Sequence, residues 1–198
     1  MKKVFVLTIV VLIAVSGKAQ IVSSRSSMIT REYKPTKNQF WFDCGIGIYT
    51  GDITDYYKDR YYNDDEGMGM ALDLGFRWTK MYTDNIGWDV LKLSAQSDLK
   101  HIGKMVDVQL KSGVRGVSPV LFGNSTIYGN VALGYGYYIY HEKGDFVWEV
   151  GAGINITPKL SIGVSYNNHS LEEYSSKYYS DKETLSCGIL SLRAGVCF

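Results

Sequence analysis

The sequence predicts an all-β fold: an eight-stranded antiparallel up-and-down β-barrel whose strands cross a membrane. Three observations predict it. About eight segments alternate apolar residues with small or polar ones at period two, each near the ~9–11 residues that a tilted spanning strand needs. Their connections sort by parity, with short turns on one side and long polar loops on the other. The last of these segments, residues 185–198, sets Leu190, Leu192, Ala194, Val196 and Phe198 against Ile189, Ser191, Arg193, Gly195 and Cys197, and ends on an aromatic. Such a strand has one greasy face and one face of mostly small or polar residues, as it must if lipid lies on one side and a polar interior on the other.

Composition agrees. The 198 residues suit one domain, and a net charge of +1 with 21% charged residues gives no basis for a nucleic-acid partner. Glycine (21) and tyrosine (16) are abundant and proline is scarce (3), which favours curved β-structure over helix. Lys2 and Lys3, the apolar run 4–15 and the small residues Gly17 and Ala19 read as an export signal over residues 1–19, cleaved before Gln20. The apolar run is too short to span a bilayer as a helix. Residues 20–38 read as a polar periplasmic lead-in, and residues 39–198 as the barrel.

The strands follow in order. Residues 39–50 set Phe40, Phe42, Cys44, Ile46 and Ile48 against Trp41, Asp43, Gly45, Gly47 and Tyr49. Residues 51–66 form a long loop rich in Asp and Tyr. Residues 67–79 alternate most cleanly, with Met70, Leu72, Leu74, Phe76 and Trp78 opposing Ala71, Asp73, Gly75 and Arg77. A helix would scatter these residues around its whole circumference. After a turn at 80–85, residues 86–95 begin with Ile86, Trp88 and Val90 on one face, then switch at Leu91 and Leu93. A bulge near Val90–Leu91 accounts for the switch. A polar loop over 97–104 leads to residues 105–115, where Val106, Val108, Leu110 and Val114 face away from Asp107, Gln109, Lys111 and Arg115. The 116–125 connection is long for the turn side. Residues 126–140 and 146–156 flank a hairpin at 141–145, and residues 160–167 follow the turn at 157–159. Residues 168–183 are expected to form a second long polar loop before the closing strand.

The polar face collects Asp43, Asp73, Arg77, Asp107, Lys111, Arg115, Glu149 and Arg193. An eight-stranded barrel is just wide enough for side chains to fill it, so these charges are expected to pair as an ionic core rather than line a pore. Aromatics near strand ends suggest membrane girdles at Phe40, Trp41, Trp78, Trp88, Trp148 and Phe198. Cys44 falls on the apolar face and Cys187 and Cys197 on the other, so no disulfide from Cys44 is expected. No metal and no cofactor are expected. The Asp-rich first loop lacks the EF-hand spacing, and His101, His141 and His169 lack metal-ligand spacing.

The chain resembles small eight-stranded outer-membrane proteins of the OmpX/OmpA-barrel type, in particular the "porin-family" barrel-domain proteins of Bacteroidetes. The resemblance is carried by Lys18-Ala19-Gln20, by Gly45-Ile46-Gly47-Ile48-Tyr49-Thr50-Gly51-Asp52 and by Arg193-Ala194-Gly195-Val196-Cys197-Phe198. It implies the cell outer membrane as location, lipid as surroundings, and a terminal aromatic similar to the signal read by the barrel-assembly machinery. It does not imply one activity, because many roles share the fold. The expected function is non-enzymatic, in envelope structure or surface contact through the long loops. One alternative is a lipid A-modifying hydrolase: some barrels of this type use a His, a Ser and a Glu, and His169-Ser170 with Glu172 and Glu173 offers those residue types. Their motif resembles His-x-Ser-Asn, however, whereas here the two side chains would diverge in a strand. The other alternative is a soluble lipocalin-type barrel, which requires the apolar face to point inward.

Overall fold

The computed structural model describes residues 37–54, 69–100, 105–121, 125–139, 141–176 and 179–198, with residues 171–176 and 179–183 given by their backbone alone. Residues 1–36, where the export signal and most of the lead-in are expected, and residues 55–68, which include the centre of the first long loop, lie outside the described residues. Eight strands follow in chain order: β1 (Asn38–Thr50), β2 (Met70–Met81), β3 (Ile86–Asp98), β4 (Val106–Val117), β5 (Thr126–Tyr138), β6 (Lys143–Thr157), β7 (Leu160–Ser176) and β8 (Tyr179–Cys197). Each pairs antiparallel with the next, and β8 returns to β1, where Trp41↔Cys197 through Thr50↔Gly188 close the barrel. Closure leaves no sheet edge within the barrel wall.

The period-two pattern decides the faces. Along β1, Phe40, Phe42, Ile46 and Ile48 are exposed, while Trp41 and Asp43 are buried. The other strands repeat this, so large apolar side chains cover the outside and charged ones fill the inside. This overturns the lipocalin-type alternative, whose apolar residues would converge on the centre. The nine residues from Phe40 to Ile48 measure roughly 30 Å along the strand, or about 20–25 Å along the barrel axis at a tilt near 40°.

The bulge sits on β3. The β2–β3 register shifts between Trp78 and Thr79, and the β3–β4 register skips from Asp89 to Lys92. Asp89 and Lys92 therefore both face inward, while Leu91 and Leu93 face out. The skipped ladder position would leave carbonyls unpaired on an apolar surface. Ser112 of β4 answers this: its hydroxyl donates to Asp89 O (3.0 Å) and Val90 O (3.3 Å).

The structure corrects the sequence reading at the loop end. Residues 168–183 are not a loop; β7 runs on to Ser176 and β8 begins at Tyr179. β6 accompanies β7 only to His169, and β1 accompanies β8 only to Gly188. Beyond these points the two strands pair only with each other, from Ser170↔Ser186 to Ser176↔Tyr179. They form a two-stranded arm that projects roughly 20 Å past the wall at ~3.3 Å per residue. A smaller correction falls at the β5–β6 hairpin. Strand pairing resumes at Lys143, opposite Tyr138, so β5 ends earlier and β6 begins earlier in the chain than the sequence reading places them, with Glu142 at φ 51°.

Candidate functional site

Every inward position of a closed barrel points at every other strand, so the lumen is where the sequence can assemble chemistry. Three levels are stacked along it.

At mid-height sits Glu149 of β6, fully buried. Lys92 Nζ donates to its Oε1. Lys111 Nζ lies 2.8 Å from Oε2, and Arg193 NH1 donates to Oε1 at 3.0 Å. Arg193 also donates from Nε to Asp73 Oδ2 at 2.5 Å, so one guanidinium bridges two carboxylates. Arg77 lies 3.7 Å from Asp43. Charges buried this deeply persist only when paired, and the mixed signs supply the partners. The void left among Asp43, Arg77, Lys92, Glu149 and Arg193 is about 10 Å³, room for one water molecule.

Toward the short turns, aromatic rings hold the cations. The Arg115 guanidinium lies 3.7 Å from the Tyr128 ring centroid and 5.8 Å from that of Trp41, and Arg77 lies 5.3 Å from Trp41. Arg115 also donates to Asn155 Oδ1 at 3.3 Å. Thr79 Oγ1 donates to the buried Asp89 carboxylate at 2.5 Å. Trp41 thus belongs to the lumen at 2% exposure, and its place in a membrane girdle is corrected. The reason lies in parity, since it is an odd-numbered position between the outward Phe40 and Phe42. The other aromatics named for the girdles stand on the outer surface. Phe40 stacks on Trp78 (6.1 Å) and Phe76 (6.3 Å), Trp88 and Phe198 are exposed, and Trp148 packs on Tyr166 at 5.4 Å.

Toward the loops, amides take over from charges. Gln109 donates to Gln96 Oε1 (3.1 Å) and to Asp107 Oδ2 (2.5 Å), and it accepts from Lys111 Nζ (2.5 Å) and Asn167 Nδ2 (2.6 Å). His169 Nδ1 lies 2.9 Å from Asp107 Oδ2, and its ring stacks on Tyr138 with centroids 4.3 Å apart and planes 10° off parallel. Above this layer, Ile53, Met105, Tyr138, Leu185 and Cys187 form an apolar cluster with Tyr49 against it. The lumen is therefore plugged at mid-height by ion pairs and covered at the loop end by hydrocarbon.

Sequence reasoning missed several members. Asp89 and Lys92 both turn inward only because the bulge intervenes. His169 reads as a loop residue because its outward neighbours, Asn168 and Ser170, are polar. Gln96 lies on the inward face without charge to mark it, and Gln109 and Asn167, though on the polar face of their strands, carry no charge to place them in the core. His169 and Ser170 occupy opposite faces of β7, the histidine being 1% exposed. They cannot act together on one substrate. Cys44 faces outward and Cys187 and Cys197 inward, and all three are free thiols. Among the described residues no three His, Cys, Asp or Glu side chains are grouped to hold a metal ion.

No family model matches this chain, and no curated protein matches it. Solved structures do. Neisserial surface protein A (NspA) is 9% identical, with 82% of this chain and 98% of that chain covered and a TM-score of 0.49. Ail, the attachment invasion locus protein of Yersinia pestis, solved with the heparin analogue sucrose octasulfate, is 14% identical, with 82% and 100% covered and a TM-score of 0.45. The N-terminal β-barrel domain of Pseudomonas aeruginosa OprF is 11% identical, with 83% and 100% covered and a TM-score of 0.43. All three lie at 14% identity or less and at a TM-score of 0.49 or less, and the fold described above rests on the strand pairing of this chain rather than on these likenesses.

Proposed function

We propose that this chain is an integral outer-membrane protein with a sealed, non-enzymatic barrel, which anchors its loop-end structures at the cell surface for envelope structure or surface contact. The observation that carries the reading is the inverted distribution of polarity. Phe42, Ile46, Leu93, Leu110, Leu133, Ile154, Leu192 and their neighbours all face outward, each exposed by more than a third, while Asp, Glu, Lys and Arg face in. In water this surface would be a continuous apolar patch far beyond the few hundred Å² that soluble monomers carry. Against acyl chains it is the favourable surface, and its height of about 20–25 Å suits an apolar band of ~25 Å. An outer membrane is the compartment that suits a closed barrel with a lipid-facing apolar band and a polar interior, with the barrel-assembly machinery as the partner in biogenesis.

The interior supports a structural role. Lys92, Lys111 and Arg193 pair with Glu149, Arg193 also pairs with Asp73, and Gln96, Gln109 and Asn167 share hydrogen bonds above them. The same packing opposes conduction, since the mid-height void has room for no more than about one water.

Fractionation of expressing cells tests the location. The reading expects the protein in the outer-membrane fraction, with the unboiled form migrating differently from the boiled form on a denaturing gel. A soluble periplasmic pool refutes it. Planar-bilayer recording tests the seal: no stepwise channel currents are expected, and sustained uniform steps contradict a packed lumen. Lipid A from cells with and without the protein is expected to show one acylation pattern, and a changed pattern would establish an enzyme.

A further inference from the structure

We propose that residues 51–54 form a latched lid over the loop end of the lumen, with Ile53 as its plug, the Asp52–Ser186 hydrogen bonds as its latch and Gly51 as its hinge.

The plug is the plainest part. Ile53 follows two residues that stand in solvent, yet it is fully buried against Met105, Tyr138, Leu185 and Cys187. Its burial is not imposed by a strand, because β1 ends at Thr50. A single turn delivers it, closed by Thr54 N and Thr54 Oγ1, which both donate to Gly51 O (3.2 and 2.7 Å).

The latch arises where β8 leaves the barrel wall. β1 pairs with β8 only as far as Gly188, so the amide of Ser186 has no ladder partner on that side. The Asp52 carboxylate supplies one: Ser186 N and Ser186 Oγ donate to Asp52 Oδ2 at 3.3 and 2.9 Å. In return Asp52 N donates to Ser186 Oγ at 3.3 Å. These bonds lie at the exposed rim, where water competes for each of them, so the latch is weak and reversible.

The hinge requires glycine twice over. Gly51 has φ +93°, and a Cβ there would lie 2.6 Å from Ser186 O and 2.8 Å from its Oγ. The lid can therefore press on β8 when shut and swing about one permissive residue when open. Beneath it lie the amide layer and the buried Cys187, next in chain to the latch residue. The device couples residues 51–54 to the base of the β7–β8 arm at Ser186. This inference rests on contacts at the mouth and holds whether or not the membrane reading does.

Cys187 is the reporter. The full chain is folded in detergent micelles with Cys44→Ser and Cys197→Ser, which leaves Cys187 as its one thiol, and a water-soluble maleimide is added. Unboiled gel mobility confirms that each variant is folded, and neither Asp52 nor Ile53 is part of the barrel wall. Cys187 is expected to be protected in this background and to react about 5- to 10-fold faster in Asp52→Ala, the range for losing net hydrogen bonds of this kind. Asp52→Asn, which keeps an acceptor, should fall between the two. Ile53→Ala should react fastest. Equal rates in the background and in both alanine variants overturn the lid. A rise in Ile53→Ala with none in Asp52→Ala overturns the latch.

Discussion

Replacing Glu149 with glutamine removes one charge and almost no volume, and it strips three cations of the anion they share. Lys92, Lys111 and Arg193 all converge on this fully buried carboxylate. After the change Lys92 has no carboxylate left among its ion pairs, Lys111 keeps only the Gln109 amide oxygen, and Arg193 keeps Asp73. Breaking a buried pair by removing one partner costs about 3–5 kcal/mol, because the other charge stays behind in low dielectric. The surviving acceptors of Lys111 and Arg193 place the expected loss toward the lower end of that range. Urea unfolding in lipid vesicles, followed by tryptophan fluorescence and unboiled gel mobility, measures it as a shift in midpoint at constant slope. Adding Lys92→Met to Glu149→Gln should recover about 1–3 kcal/mol, since the stranded ammonium goes with it. A loss below about 1 kcal/mol for Glu149→Gln would refute the reasoning. The lumen would then screen its charges as a surface does, and the ion pairs would not hold the barrel.

The same geometry sets three further outcomes. Leu133→Arg, on the lipid-facing side of β5, should cost about 2–4 kcal/mol in vesicle unfolding if it lies near mid-bilayer, and an unchanged midpoint would mean that this face does not touch lipid. Ser112→Val should destabilise by roughly 1–3 kcal/mol although it adds apolar area, because the bulge carbonyls of Asp89 and Val90 lose their donor; a gain in stability would contradict that role. Gly136→Ala should displace the His169 ring, whose Cε1 lies 2.5 Å from the added carbon, whereas Gly75→Ala meets nothing closer than 3.6 Å and should be tolerated. Similar unfolding midpoints for the two would be inconsistent with the packing at the loop end.

Much of this fold was legible because two solvents write on one strand. Wherever one face meets hydrocarbon and the other a polar interior, apolar residues must alternate, and even the β3 bulge shows in the switch from Trp88 to Leu91 and Leu93. The signal ends where the contrast ends. Beyond Tyr166 on β7 and Leu190 on β8, outward positions meet Asn168, Ser170, Gly188 and Ser186 instead of the apolar belt, and the arm reads as a loop although its backbone remains paired. Trp41 shows a different limit: aromatic character pointed to the surface and parity pointed inward, and parity governed. Ile53 was invisible because one apolar residue in a polar stretch has no period. Its burial depends on Tyr138 and Leu185, more than eighty residues away in sequence.

The central claim is which solvent each face of the wall touches, and the four tryptophans allow it to be measured directly. Single-tryptophan variants, refolded into vesicles of lipids brominated along their acyl chains, report contact between each ring and hydrocarbon through fluorescence quenching. Trp78, Trp88 and Trp148 should be quenched, while Trp41, enclosed between Arg77 and Arg115, should keep its emission. Quenching of Trp41 together with unquenched outer tryptophans would contradict the account.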